Sequence, residues 1–411
     1  MESTPLLASS VEHIIAADAL PGASVLSCFI NLVKAVVGTG LLSLPHTFKR
    51  TGIGLGSALI VTGSVIIYYS LWLLGKCSHS TEIHTYTGLA RKAGGVRFGN
   101  AVVFSQLGFA FGSCVAYMII IPSSLAAVLD AWLDEGWFKS AILYHDHILL
   151  SVICAIVLVL PLCLSPSLDA LRFSSTFGLL CDVYLVLLMV YLYWFRAPSS
   201  NSPLPSAPMF QLNFDSIVVL PVIFFAYNAH IQFLPIVSEL SDSRWRNIHF
   251  LAFICPASCC VLYLVFAHLG YALYGDNVSD NVLLNFPKDS YLSDLALVAI
   301  AIDIIATYPL YAQPVVMSIH VLLFSKRPGD PVVQKRLLTV AYVLLSLVAA
   351  RISRSLEMVL SLTGGIFATL LIFVFPGLIA MMFSYKPWMP GGLAALGIII
   401  ACCCAVVTFR I

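Results

Sequence analysis

About eleven apolar runs, each long enough to cross a bilayer, constrain this chain more than any other feature. A spanning helix needs roughly 17–25 predominantly apolar residues. Runs of that kind lie near 25–48, 54–75, 99–129, 147–164, 172–195, 214–240, 248–274, 292–324, 332–350, 355–384 and 389–409. In hydrocarbon every backbone polar group must be satisfied inside the protein, and for apolar runs of this length that means helices. The expected fold is an all-α integral membrane protein with about 11 transmembrane helices. Only 10% of the 411 residues are charged, against about 25% in a soluble domain. That leaves no material for an independent soluble domain. The expected organisation is a polar tail, 1–24, followed by a transmembrane domain, 25–411. The stretch 196–213 is rich in Pro and Ser and reads as an extended connection between two halves.

Charge and cysteine usage narrow the class. No basic tract or nucleic-acid motif is present, so no nucleic-acid partner is expected. The tail is acidic and carries no Lys or Arg before the first run, so it is not expected to be a cleaved signal peptide. Of twelve cysteines, all but Cys77 fall in apolar runs and none has metal spacing. They are expected to behave as small hydrophobes, with no structural metal. With a cytosolic N-terminus, the alternating loops hold twelve Lys and Arg inside against eight outside, and the dense clusters 91–97 and 326–336 both fall inside. That topology leaves the C-terminus luminal or extracellular. It also puts the single N-x-S/T site, at Asn277, in an outside loop as a glycosylation candidate. Glu2, Leu6 and Leu7 fit an acidic dileucine signal of the kind that sorting adaptors read on cytosolic tails. It points to endosomal, lysosomal or vacuolar membranes ahead of the plasma membrane.

Two of the runs are interrupted. The first reads NLVKAVVGTGLLSLP from Asn31 to Pro45, with Gly38, Thr39 and Gly40 at its middle. Glycine costs roughly 0.8–1.0 kcal/mol in a helix interior. Backbone released from a helix at membrane depth is tolerated only where it lines a cavity or is buried in protein. The sixth run contains Pro221, then Tyr227, Asn228 and His230, then Pro235 and Glu239. Mid-membrane polar residues face a cavity or another helix, and proline removes a backbone hydrogen bond. Breaks at corresponding positions in two halves point to a transporter built from inverted repeats. The repeats would cover about 25–195 and 214–384, with 389–409 as an extra helix.

Four stretches carry a family resemblance. NLVKAVVGTGLLSLPHTFKRTGIGLG resembles the first helix of the amino acid/auxin permease family, and YNAHIQFLPIVSEL its sixth. ATYPLYAQPVVMSI is similar to its eighth helix, and GYALYGDNVSDNVLLNFP to the loop after its seventh. The resemblance covers about residues 25–385 and lies nearest to the neutral amino acid transporters, including vacuolar and lysosomal members. It implies a LeuT-like 5+5 fold with broken helices 1 and 6. The implied activity is secondary active transport of amino acids, with Na+ or H+ as coupling ion and no organic cofactor. Some sodium-coupled members carry a disulfide between the loops after helices 5 and 7; neither loop here contains cysteine.

The freed N–H groups around Gly38, Thr39 and Gly40 are candidates for the substrate carboxylate, because helix N-termini favour anions. The alternative is that these small residues let another helix pack closely; the resemblance favours the substrate role. Tyr227, Asn228 and His230 would receive the α-amino group and side chain, and Ser105 could face the same cavity. The resemblance further implies a cation or proton coupling site joining the helix 1 break, at Asn31 and Val37, to helix 8, at Asp303 and Thr307. Helix 8 offers a carboxylate and one hydroxyl where sodium-coupled members show several hydroxyls, which casts Asp303 as cation ligand or proton carrier. Lys34 is expected to pair with Asp182 or Asp303 inside the bundle. Glu239 at one end and Arg351 at the other are gating candidates.

Two other classes compete. A non-transporting or weakly transporting amino-acid sensor would bind the same ligand, but such proteins carry long cytosolic tails. A membrane enzyme would need a cluster such as His145-Asp146-His147, which has no third partner in sequence. No enzymatic activity is expected.

Overall fold

The computed structural model describes residues 22–134, 136, 139, 147–165, 174–196, 208–211, 214–324, 330–353, 355–383 and 388–408. Glu2, Leu6, Leu7, His145, Asp146 and Arg354 lie outside the described residues.

Apart from short 3-10 turns, thirteen helical segments follow in chain order among the described residues. The first run divides into α1 (Val25–Val36) and α2 (Thr39–Thr51). Then come α3 (Ile53–Thr81), α4 (Tyr86–Trp132), α5 (His147–Leu164) and α6 (Ser174–Arg196). The sixth run divides into α7 (Phe214–Ala226) and α8 (His230–Ser238). The last five are α9 (Trp245–Tyr274), α10 (Tyr291–Phe324), α11 (Pro331–Ile352), α12 (Leu356–Phe383) and α13 (Trp388–Thr408). Among the described residues nine spans are long and apolar enough to cross a membrane, the bent pair α1 and α2 makes ten, and Trp388–Cys404 within α13 is a further apolar helix. The multi-pass all-helical expectation holds.

Local chemistry sets the ends. Ser24, Thr85, Asp330 and Ser355 each accept a backbone N–H from the first turn of α1, α4, α11 and α12, satisfying donors that a helix start leaves open. One boundary differs from the hydropathy reading. The third span was expected from 99, but α4 begins at Tyr86 and kinks at Gly95, where φ is +77°. Its first arm carries Thr87, Arg91 and Lys92, which no apolar window registers, and glycine supplies the left-handed backbone at the kink. The tenth span is continuous but widens into π-turns at Gly364–Ala368 and Leu370–Val374.

Large apolar side chains face outward, among them Phe104, Leu187, Trp194 and Ile352, as an acyl-chain environment permits. The buried core lies where α1, α2, α7 and α8 are surrounded by other spans. α1 packs on α6 and α9, α2 on α7 and α9, α7 on α12, and α10 along α4. Both interrupted spans therefore sit at the centre of the bundle.

Candidate functional site

α1 ends at Val36, Val37 turns to extended backbone, and α2 restarts at Thr39 with its axis 53° from that of α1. Gly38 precedes α2 without a side-chain cap. The two glycines do different jobs. A methyl group on Gly40 would lie 2.6 Å from the Cα of Ala226, whereas one on Gly38 would meet nothing within 4 Å. Gly40 is thus the small residue that lets α2 touch the end of α7. Gly38 fronts open space beside the uncapped N–H groups of α2. The close-packing alternative thus applies to Gly40 and not to Gly38.

The second break faces the first. α7 ends at Ala226, and Asn228 Oδ1 accepts the His230 N–H at 3.2 Å where α8 restarts. Tyr227 donates its hydroxyl to Ile60 O at 3.2 Å, so this side chain is committed to packing against α3. His230 is fully buried and its Nε2 lies 2.8 Å from Ser70 Oγ. Ser70 gives its only hydrogen to Ile372 O at 2.5 Å, so Nε2 is the donor and the proton sits there. Ile372 lies in the second π-turn of α12, whose widened ladder leaves a carbonyl for a neighbouring helix. Among the described residues His230 Nδ1 and Asn228 Nδ2 are buried without hydrogen-bond partners: one bare acceptor and one bare donor beside the break.

Tyr263 of α9 joins the two breaks. Its hydroxyl lies 2.7 Å from Ala226 O and 3.1 Å from Val36 O, the last carbonyls of α7 and α1. Its ring meets Tyr227 at 4.9 Å. Sequence reading missed Tyr263, because one more tyrosine in an apolar run carries no signal.

Lys34 donates to Asp182 at 3.0 Å and to Asp303 at 2.6 Å. It thereby ties α1 to α6 and α10. The expected pairing is found with both acids at once. All three side chains are less than a tenth exposed, and Asp303 Oδ1 has no partner among the described residues. Two carboxylates around one ammonium leave one negative charge in excess. Gly178 makes the room: a methyl group there would run into Asp303 Oδ1 and the Lys34 chain. Thr307 donates to Asp303 O at 2.8 Å, and Val37 is buried at the break. Asn31 is half-buried one turn before Lys34, and Ser105 is buried on α4.

The first broken span is also anchored at both ends. Gly22 and Ala23 donate their N–H groups to Glu239 O at 3.1 and 2.9 Å, and Ser241 returns one to Ala23 O at 3.0 Å. At the far end Arg50 of α2 bonds Glu357 of α12 at 2.8 Å. Asp280 then accepts the Glu357 N–H at 3.2 Å, while Ser43 donates to Asp280 O at 2.6 Å. Glu239 therefore contributes its backbone to one anchor, and Glu357 with Arg50 forms the other. Arg351 lies exposed near the end of α11. Between α8 and α9, outside the spans, the Arg244 guanidinium grips Asp242 and holds its carboxyl below the usual range. Asn277 is exposed in a turn after α9.

The sequence profile described as transmembrane amino acid transporter protein matches residues 21–411. A Xenopus laevis protein named sodium-coupled neutral amino acid transporter 7 is 26% identical over 369 residues, covering 87% of this chain and 80% of that one. Vacuolar amino acid transporter 5 of Schizosaccharomyces pombe is 24% identical over 383 residues, covering 90% and 87%. Amino acid transporter AVT6A of Arabidopsis thaliana is 26% identical over 412 residues, covering 92% and 85%.

Proposed function

The chain belongs to the transmembrane amino acid transporter family, and from that premise we propose that it moves neutral amino acids across a membrane by secondary active transport with alternating access. The observation that carries this reading is the meeting of two broken helices at the bundle centre, with α2 touching the end of α7 at Gly40 and Ala226. The N–H groups of Gly38, Thr39 and Gly40 receive the α-carboxylate. Val36 O and Ala226 O, with the backbone around Tyr227, receive the α-ammonium. Asn228 Nδ2 and His230 Nδ1 offer a donor and an acceptor to the rest of the substrate, and Ser105, buried on α4, is a further candidate. Residues 25–195 and 214–384 act as the two repeats, and the anchors at Glu239 and at Arg50–Glu357 open in turn as gates. Arg351, exposed near the end of α11, is a further gating candidate.

Coupling runs through Asp303 with Lys34, Asp182 and Thr307, next to Asn31 and Val37. The choice lies between Na+ and H+. The Lys34 ammonium already fills the space between Asp182 and Asp303, and the one negative charge it leaves over is neutralised by a proton on a carboxylate; this favours H+. An intramembrane carboxylate that binds and releases a proton on opposite faces supplies the drive. The relatives named above, the cytosolic-tail reading of Glu2, Leu6 and Leu7, and the loop charges support a vacuolar or lysosomal membrane with a cytosolic N-terminus.

The test is uptake of a panel of radiolabelled neutral amino acids into proteoliposomes under an imposed pH gradient and, separately, a sodium gradient. Uptake driven by the pH gradient and lost in Asp303→Asn is the expected result. Uptake driven only by sodium overturns the proton assignment. Binding without uptake under either gradient replaces transport with the sensor reading.

A further inference from the structure

We infer that the Tyr263 hydroxyl is a resident donor that stands in for the substrate's α-ammonium group, holding the carbonyl ends of both broken helices until the ammonium takes them over. This rests on the amino acid reading above and concerns a residue which that reading does not assign.

The last carbonyls of a helix have no intrahelical donor, and they lie at the negative end of the helix dipole. Val36 O ends α1 and Ala226 O ends α7, and both point at one hydroxyl on a third helix. Tyr263 is wholly buried and its ring is held edge-on against Tyr227, so the hydroxyl is placed by packing. A phenolic hydroxyl has one hydrogen. At 2.7 Å, Ala226 O takes it; Val36 O, at 3.1 Å, is under-served. An α-ammonium brings three N–H groups and a full charge, and charge-assisted hydrogen bonds are roughly twice as strong as neutral ones. It therefore displaces the hydroxyl and satisfies both carbonyls together.

This exchange has a kinetic purpose. Without a resident donor, each departure of the ammonium would strand two buried carbonyls, which is costly. With one, Ala226 O keeps a donor after release and only Val36 O is left under-served. Tyr263 thus weakens binding and speeds turnover. Because the hydroxyl lies against the carbonyl ends of both α1 and α7, arrival of the ammonium is felt at both breaks at once.

The experiment uses the full chain in proteoliposomes, with radiolabelled L-alanine, L-glutamine and L-leucine as probes. Tyr263→Phe removes the donor and keeps the ring. Replacement of Tyr263 by 3-fluorotyrosine keeps the hydroxyl and makes it a stronger donor. The expected order of dissociation constant is Phe below Tyr below 3-fluorotyrosine, with Tyr263→Phe binding about fivefold more tightly, the worth of one hydrogen bond. Maximal uptake should fall in Tyr263→Phe despite the tighter binding. Unchanged or weaker binding in a folded Tyr263→Phe protein overturns the inference, since a merely structural tyrosine would do that. Should Tyr263→Phe fail to fold, the fluorinated protein decides alone: unchanged or tighter binding overturns the inference. If the wild-type protein binds none of the three probes, the neutral amino acid reading falls. Wild-type binding with no dependence on donor strength removes only the role of Tyr263.

Discussion

Replacing Lys34 with methionine would leave Asp182 and Asp303 facing each other inside the bundle. Their oxygens lie 3.0 and 2.6 Å from Nζ. At an effective dielectric of about 20, contacts at those distances are each worth roughly 5–6 kcal/mol of gross attraction. Desolvation of three charges offsets most of it. Removing one partner from a buried ion cluster typically costs about 3–5 kcal/mol, because the remaining charge stays buried without compensation. All three side chains are under a tenth exposed, so the upper part of that range applies to Lys34→Met, which strands two charges. The order of stability follows from charge alone. Lys34→Met should be the least stable variant, and Asp303→Asn should lose less because Lys34 keeps Asp182. The triple variant Lys34→Met, Asp182→Asn, Asp303→Asn should recover most of the loss. Thermal unfolding of the purified full chain in detergent reads this directly. Wild-type stability in Lys34→Met, or a triple variant no better than Lys34→Met, would refute the reasoning.

Other outcomes follow from the same contacts. Gly38→Ala should leave thermal stability near wild type and weaken amino acid binding, whereas Gly40→Ala should lose about 1–3 kcal/mol through overpacking on Ala226; unfolding and binding assays on the two proteins separate the roles. Ser70→Ala strands Ile372 O and His230 Nε2 and should cost about 1–3 kcal/mol, measured by thermal unfolding. Glu357→Gln weakens the clasp on Arg50 by about 1 kcal/mol, so a cysteine placed at Ser43 should react several-fold faster with a membrane-impermeant thiol reagent. The Asp242–Arg244 pair stabilises its loop above about pH 4, the ordinary aspartate value. That contribution is lost as pH falls through the lowered value of Asp242, and Asp242→Asn should remove the acid-dependent part, read as protease sensitivity of the loop against pH.

Some of the candidate site was legible in the linear chain. Glycines flanking Thr39 in one apolar run and a polar trio in another announced both breaks, because nothing else justifies such residues at membrane depth. Lys34 announced that it must meet an acid, because an unpaired buried ammonium is too costly to keep. Which acid was not legible: Asp182 lies 148 residues away and Asp303 lies 269 away, and either alone would have sufficed. The split between Gly38 and Gly40 was equally hidden, since both look alike until Ala226 is seen against one of them.

The sequence by itself determined the class of molecule, the number and approximate limits of its spans, and where two of them break. Bilayer thickness sets a length, the absence of water compels helices, and only glycine, proline or a polar run interrupts them. What it could not determine was the rotation of each helix about its own axis. An apolar stripe orients a helix in water, but a helix apolar on every side carries no such stripe. Tertiary packing alone brought the Tyr263 hydroxyl of α9 to carbonyls 227 and 37 residues away. It also turned Ser70 and His230 toward a π-turn in α12 and seated Lys34 between two acids.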